Sequence, residues 1–396
     1  MFVPGCQIKT GLFVREIDDF AVLRQLRGPW IELLSRTRGA TFFQHFDWFD
    51  TYWKHFGTRQ QLRVLEIADS AGTIGILPLV VRQRSLGWGT ARVLGYPLDD
   101  WGTFFGPIGP KPYETLLTGL RHVANSPRDW DFLELGWVPS ESGDEGRTAA
   151  ALDEALLPAA RSFYDSVALV DIAGNWHDYL AARPNRFRSK LAAAERKLAS
   201  RGKVTYVRFR PDGADDGPVD CRWDLYDACV EVSRRSWQAA ATDGTTLCHP
   251  EVADFFRDAH AAAVRAGCCD LNLLYVDERP AAFMYCYTYR GRVFGLRRGF
   301  DATVARDGLG TVLCARMLAD CFERGDREVN LGASYLDSKR VWMTRLVSCD
   351  RYTHYPSLAL KGQVARFGRT ARGWLRHRRK PAAAGFGRSK QHAAPS

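Results

Sequence analysis

The sequence predicts an α/β (α+β) fold in two halves, each a mixed, mostly antiparallel sheet flanked by helices. Three observations predict it. Residues 269–331 read as three short apolar runs separated by tight turns, then a glycine turn, an amphipathic segment and a further extended run. Residues 62–135 pass through the same order with little residue identity. Finally, the 396-residue chain is 46% hydrophobic and 25% charged, which is ordinary for a globular protein long enough for two to three domains.

No apolar run approaches the roughly 20 residues that a membrane span needs. Met1–Cys6 lacks a charged region followed by an apolar core, so no signal peptide is expected and the cytoplasm is the expected compartment. Of the ten cysteines, Cys286, Cys314 and Cys321 fall inside expected strands or a helix, and no Cys-x-x-Cys occurs. Reduced thiols are therefore expected. Cys248-His249 with His260 lacks the paired spacing of a zinc site, and no metal is expected.

Phe42–Phe56 is dense in aromatics, with Phe42, Phe46, Phe49, Trp53 and Phe56 at spacings of three and four, so a helix with a buried stripe is expected. Strands follow at 62–68, 73–82 and 90–95, then a loop through Pro110, a helix over 113–123 and a strand over 132–135. A helix is expected at 149–160 and a strand at 166–172. The basic residues between Arg183 and Arg201 fit a helix stopped by Gly202, and a further helix begins at Trp223. From Cys269 the turns Asp277-Glu278-Arg279-Pro280 and Arg290-Gly291 delimit an antiparallel meander. Leu313, Met317, Leu318, Cys321 and Phe322 then make the apolar face of a helix ended by Gly325, and 329–331 returns to a strand. From Pro381 the chain is low in complexity.

Gly308-Leu309-Gly310-Thr311 is the chemical centre of this pattern. Glycines let the backbone approach a ligand, and the first amides of a helix lack intrahelical partners. With the positive end of the helix dipole they suit a pyrophosphate. The corresponding stretch of the first half is Gly109-Pro110-Lys111-Pro112, whose prolines lack the N–H donors such a cradle requires. Asp99, Asp100 and Trp101 instead place carboxylates beside an aromatic, a composition suited to a sugar or an amine. His45 is a further candidate on the substrate side.

The order of elements and the glycine turn resemble the acyl-CoA-binding core of the GNAT N-acyltransferase superfamily. The wider pattern is similar to its CelD/BcsL-type branch, linked to polysaccharide synthesis, and more distantly to the FemABX peptidyltransferases. Phe43-Gln44-His45, Trp48, Trp53, Leu94-Gly95, Asp99-Asp100, the basic run 185–202, Gly299-Phe300-Asp301 and Gly332 through Lys339 to Trp342 carry this resemblance. The superfamily usually has Gln or Arg three residues before the first glycine of its loop, whereas here Ala305 stands there and Arg306 follows. The resemblance implies tandem GNAT-like domains: residues 1–165 on the acceptor side, 166–375 as the acyltransferase, and 376–396 as a basic tail. It implies acetyl-CoA or another acyl-CoA as co-substrate, held by Arg298, Arg306 and Gly308–Thr311. It also implies a main-chain oxyanion donor within Gly295–Arg298 and a thiolate acid at Tyr335. Asp301 is the first choice for the base, with Asp99 or Asp100 as rivals, and Lys339 matches the branch's lysine.

The expected activity is N-acylation of an amine on a sugar or cell-envelope precursor. Aminoacyl transfer from charged tRNA and a non-catalytic accessory role in polysaccharide synthesis remain the alternatives. Basic clusters at 183–203 and 361–380 fit polyanionic partners such as CoA, nucleotide sugars, anionic lipid head groups or RNA, and peripheral membrane contact through the C-terminal cluster is one expectation. No DNA-binding module is recognisable, and tRNA enters only under the peptidyltransferase alternative. No Gly-x-Ser-x-Gly elbow, Walker loop or His-Glu-x-x-His is found, and Gly308-Leu309-Gly310 does not extend into a dinucleotide fingerprint.

Overall fold

The computed structural model describes residues 11–368 apart from 88, 98–100, 141–142, 215–217, 241–245 and 305–307. The first half contains β1 (Phe13–Ile17), α1 (Phe20–Arg24), α2 (Arg27–Ser35), α3 (Phe46–Phe56), β2 (Gln60–Asp69), β3 (Gly72–Ser85), β4 (Thr90–Gly95), α4 (Pro112–Asn125), β5 (Phe132–Pro139), α5 (Arg147–Glu154) and β6 (Ala159–Asp171). The second contains α6 (Trp176–Ala181), α7 (Asn185–Ala199), β7 (Val204–Phe209), α8 (Trp223–Arg234), α9 (Pro250–Arg265), β8 (Cys269–Val276), β9 (Arg279–Tyr289), β10 (Arg292–Phe300), α10 (Leu309–Glu323), β11 (Glu328–Asn330), α11 (Leu336–Lys339) and β12 (Arg345–His354).

The strands of the described residues form one 12-stranded sheet in the order β1-β2-β3-β4-β5-β12-β6-β11-β10-β9-β8-β7. All neighbours are antiparallel except β4 with β5 and β10 with β11, the two places where a helix crosses over. The repeated order expected from sequence is therefore present as β2-β3-β4-α4-β5 and β8-β9-β10-α10-β11. The final strands are exchanged. β6 follows β5 in the chain but pairs with β11, while β12 lies between β5 and β6. The expected boundary at 165/166 falls inside β6.

Side chains of β9 alternate between two cores, as a strand covered on both faces requires. Phe283, Tyr285 and Tyr287 belong to the core of α3, α8 and α9, whereas Ala282, Met284 and Cys286 belong to that of α7 and α10. Of the expected aromatic stripe Phe42, Phe46 and Phe49 are buried and Trp53 and Phe56 are partly so, while Trp48 and Tyr52 of α3 are buried as well. The single helix expected at 42–56 is broken, because His45 is extended (φ −68°, ψ 142°) and caps α3 after a 3-10 turn. The helix expected at 149–160 stops at Glu154, where Leu156 takes a positive φ of 58° and the chain enters β6 at Ala159. The nine cysteines among the described residues are unpaired and eight are buried. No helix among the described residues is long and apolar enough to cross a membrane.

Candidate active site

Strand β10 creates the site by what it fails to pair. Its parallel register with β11 covers only Arg292↔Glu328, Val293↔Val329 and Phe294↔Asn330, yet β10 continues to Phe300. Beyond Phe294 the strands part. At the fork they are so close that a Cβ on Gly295 would lie 3.2 Å from the Asn330 carbonyl oxygen. On the other edge Gly295 faces Cys286 and Arg297 faces Tyr285, so Leu296 is the extra residue of a β-bulge. A bulge bends its strand and leaves part of the ladder unmade, which frees main-chain polar groups for a ligand.

A cleft of about 710 Å3 opens at this fork. Gly295–Arg298 and Asn330–Tyr335 form its walls, with Cys314 of α10 and Lys339 behind them. Trp101, Trp137, Tyr164 and Asp165 of the first half close the other side. Several contacts hold this lining in place. Gln238 Nε2 donates to the Arg298 carbonyl at 2.7 Å, and Asn330 Nδ2 donates to Thr103 Oγ1 at 3.1 Å. The Arg297 guanidinium sits 5.5 Å from the centres of both the Trp101 and Phe256 rings. At the mouth Trp237 and Tyr335 are edge to face at 6.2 Å.

Lys339 is the titratable group best matched to chemistry at neutral pH. Its side chain is buried in the last turn of α11, and burial, reinforced by the neighbouring Arg298, lowers its pKa to about 7 against the pull of Asp165. Tyr335, which precedes α11 in a left-handed conformation (φ 57°), is 65% exposed. Arg298 donates to Ser338 Oγ at 3.2 Å, tying β10 to α11.

Asp301 is placed differently. It is buried outside the cleft lining and is fully engaged. Thr303 N and Oγ1 donate to it at 2.9 and 2.7 Å, and Arg235 and Arg279 lie at 3.2 and 3.1 Å. Burial opposes its charge, but the Thr303 hydrogen bonds and the two guanidiniums outweigh it and hold the carboxyl below its ordinary range. His45 is a helix cap that accepts from the Asp47 N–H at 3.3 Å, and burial lowers its pKa. It does not line the cleft. Asp99, Asp100 and Arg306 lie outside the described residues.

The glycine turn opens α10 as expected. Gly308 has φ 84°, and a Cβ there would come within 2.7 Å of Ala194 Cβ, so α7 packs directly on the turn. The Thr311 and Val312 amides return to the Gly308 carbonyl at 2.9 and 3.0 Å. Among the described residues no acceptor faces the Leu309 or Gly310 N–H. One helical turn further on, Cys314 reaches the cleft wall, so fork and glycine turn lie on one path.

A bulged strand, a fork and a glycine-opened helix thus follow one another within a single segment of the chain. Residues 185–340 match the acetyltransferase (GNAT) domain family. This segment is an acyltransferase domain, and it holds the fork, Arg298, the glycine turn, Tyr335 and Lys339. The whole chain repeats one order of elements in its two halves, and its fold is shared by solved structures over most of its length. FemX superposes with a TM-score of 0.59 at 13% identity, covering 86% of this chain and 98% of FemX. A conserved protein of unknown function from Bacteroides thetaiotaomicron VPI-5482 gives a TM-score of 0.50 at 11% identity, covering 86% and 100%. A tandem GNAT protein from the clavulanic acid biosynthesis pathway gives 0.47 at 14%, covering 87% and 99%. At these identities the likeness is one of fold. No curated protein sequence matches this chain.

Several residues of the cleft escaped the sequence reading. Asp165, Tyr164 and Trp137 come from two strands of the first half, and only the strand exchange brings them beside the GNAT domain. The pattern around Arg297 gave one usable signal. Gly295 and Gly299 interrupt an otherwise good strand, as glycines do at bulges and close approaches.

Proposed function

We propose that this chain transfers an acyl group from acyl-CoA, acetyl-CoA being the simplest donor, to an amine on a sugar or cell-envelope precursor. The observation that carries this reading is the fork between β10 and β11, bulged at Leu296 and leading to the glycine turn of α10. The pantetheine arm extends along the unpaired edge of β10, and the CoA phosphates rest near Gly308–Thr311 with Arg298 as a further cation. Trp101, Trp137 and Tyr164 line the acceptor side with aromatic surface, a composition suited to a sugar ring.

The acceptor nitrogen attacks the thioester carbonyl, forming the C–N bond and breaking the C–S bond. Lys339, whose amine is made easier to deprotonate by burial and by Arg298, takes the proton from the acceptor ammonium. Main-chain amides around Leu296 stabilise the oxyanion, and Tyr335 at the mouth protonates the departing thiolate. Asp301 serves as an anchor for β10 in this scheme and takes no part in proton transfer. The protein acts in the cytoplasm, supplying a modified precursor for polysaccharide or envelope synthesis.

The reading is tested by following release of free CoA thiol with a panel of amino sugars. Turnover with at least one of them is expected, and Lys339→Gln lowers kcat by about 10²- to 10⁴-fold. No thiol release with any amine would contradict it. The likeness to FemX supports a second reading, aminoacyl transfer from charged tRNA. Binding of tRNA that weakens steeply with salt, without binding of CoA, would select that reading instead.

A further inference from the structure

The C-terminal helix of the described chain is built the wrong way round for a globular protein. Residues 360–368 are helical and follow β12 after the turn at 355–359. The side that packs against the sheet is lined with small residues. Ala359 is buried, and Ala365 rests against the cluster of Ala91, Val93 and Phe132. Gly362 approaches the Asp131 carbonyl so closely that a Cβ would come within 2.4 Å of its oxygen. The large apolar residues face out. Leu358, Leu360 and Phe367 are 91%, 80% and 70% exposed, and Leu360, Val364 and Phe367 fall at helical spacing on one stripe. Water does not favour this arrangement, so the stripe is fitted to another apolar phase.

The charge of the chain is concentrated at the same end. Eleven Lys and Arg and no Asp or Glu follow Asp350, against a net charge of +10 for the whole chain. Residues 1–350 therefore carry a net charge of −1. An apolar stripe flanked by cations and devoid of acids is the composition of a helix that lies in the interface of an anionic bilayer.

We propose that residues 358–368 dock on an anionic lipid surface, with Leu360, Val364 and Phe367 entering the acyl boundary and Lys361 among the cations meeting phosphate head groups. Nucleic acid would satisfy the charge but would leave the three exposed apolar side chains without purpose, so the lipid surface is favoured. The helix packs on β4 and β5 of the first half, and docking therefore holds that half against the lipid surface.

The test is co-sedimentation of the full chain with phosphatidylcholine vesicles, with and without phosphatidylglycerol. Binding only to the anionic vesicles is expected, weakening as salt is raised. The double variant Leu360→Ser/Phe367→Ser, altered at two exposed positions and so leaving the thermal melt unchanged, is expected to lose about tenfold or more in partitioning. Failure to bind anionic vesicles, or equal binding by the double variant, would overturn the proposal. So would a wild-type dimer that the double variant converts to a monomer, since the stripe would then be covered by a second copy. Retention on RNA without vesicle binding would do the same in favour of a nucleic-acid partner.

Discussion

At Lys339, burial beside Arg298 does two things that can be measured separately. The folded pKa of about 7 lies below the unfolded value of about 10.4, so between these values the unfolded chain binds more protons than the folded one. Stability contributed by this residue is complete only above about pH 10 and is lost as the pH falls toward 7. Lys339→Met should therefore be more stable than the parent by roughly 1–3 kcal/mol at pH 7, with the advantage shrinking toward pH 10. Urea melts across that range would show it. In the parent enzyme kcat/KM should rise with pH through about 7, as the neutral amine forms. Asp301 makes the contrasting case. Asp301→Asn leaves Arg235 and Arg279 without their shared anion and should lower stability by about 1–3 kcal/mol. Its pH profile should stay that of the parent, and a lost or shifted limb would return the base role to Asp301.

Among elements, β10 and β7 show opposite uses of an incomplete strand. The β10 fork depends on Gly295, because any side chain meets the Asn330 carbonyl. Gly295→Val should force β10 and β11 apart, abolish binding of acyl-CoA and cost about 1–3 kcal/mol of stability. The outermost strand β7 is fastened instead by buried ion pairs. Arg208 and Arg210 both reach Asp270 (2.6 and 2.8 Å), and Asp320 and Asp326 complete the cluster at 2.7 and 2.9 Å. Burial opposes the Asp270 charge, but the two arginines outweigh it and keep its pKa low. Asp270→Ala removes the anion the two arginines share, leaving Arg208 with Asp320 and Arg210 with Asp326, and should destabilise the protein by about 3 kcal/mol in denaturant melts. These elements also mark how far the sequence could be read. The meander β8–β10, the crossing helix α10 and the aromatic helix α3 are legible because apolar period and turn residues coincide. Strands β7 and β12 are hidden because Arg208 and Asp350 point inward as paired charges, which a hydropathy pattern reads as surface. The glycine turn is legible and the cleft beside it is not, since Lys339 meets Asp165 only through long-range strand pairing.

For the whole molecule, exchange of the final strands makes the two halves one folding unit. β12, the last strand of the second half, is flanked by β5 and β6 of the first, and β11 is completed by β6. Residues 166–396 alone lack β5 and half of β6, so they should not fold in isolation, whereas the full chain should melt in a single transition by circular dichroism. Two separated transitions would show that the halves are independent. The exchange also explains why the cleft has walls from both halves: the fork belongs to the GNAT domain, and the aromatic side facing it belongs to the first half.

The central claim is that the fork between β10 and β11 receives an acyl thioester, and titration calorimetry of the full chain with acetyl-CoA tests it most directly. One site per chain, weakened in Arg298→Ala and lost in Gly295→Val although the variant still shows native circular dichroism, is the result this account predicts. Absence of binding to acetyl-CoA and to longer acyl-CoAs, or binding that Gly295→Val leaves intact, would contradict it.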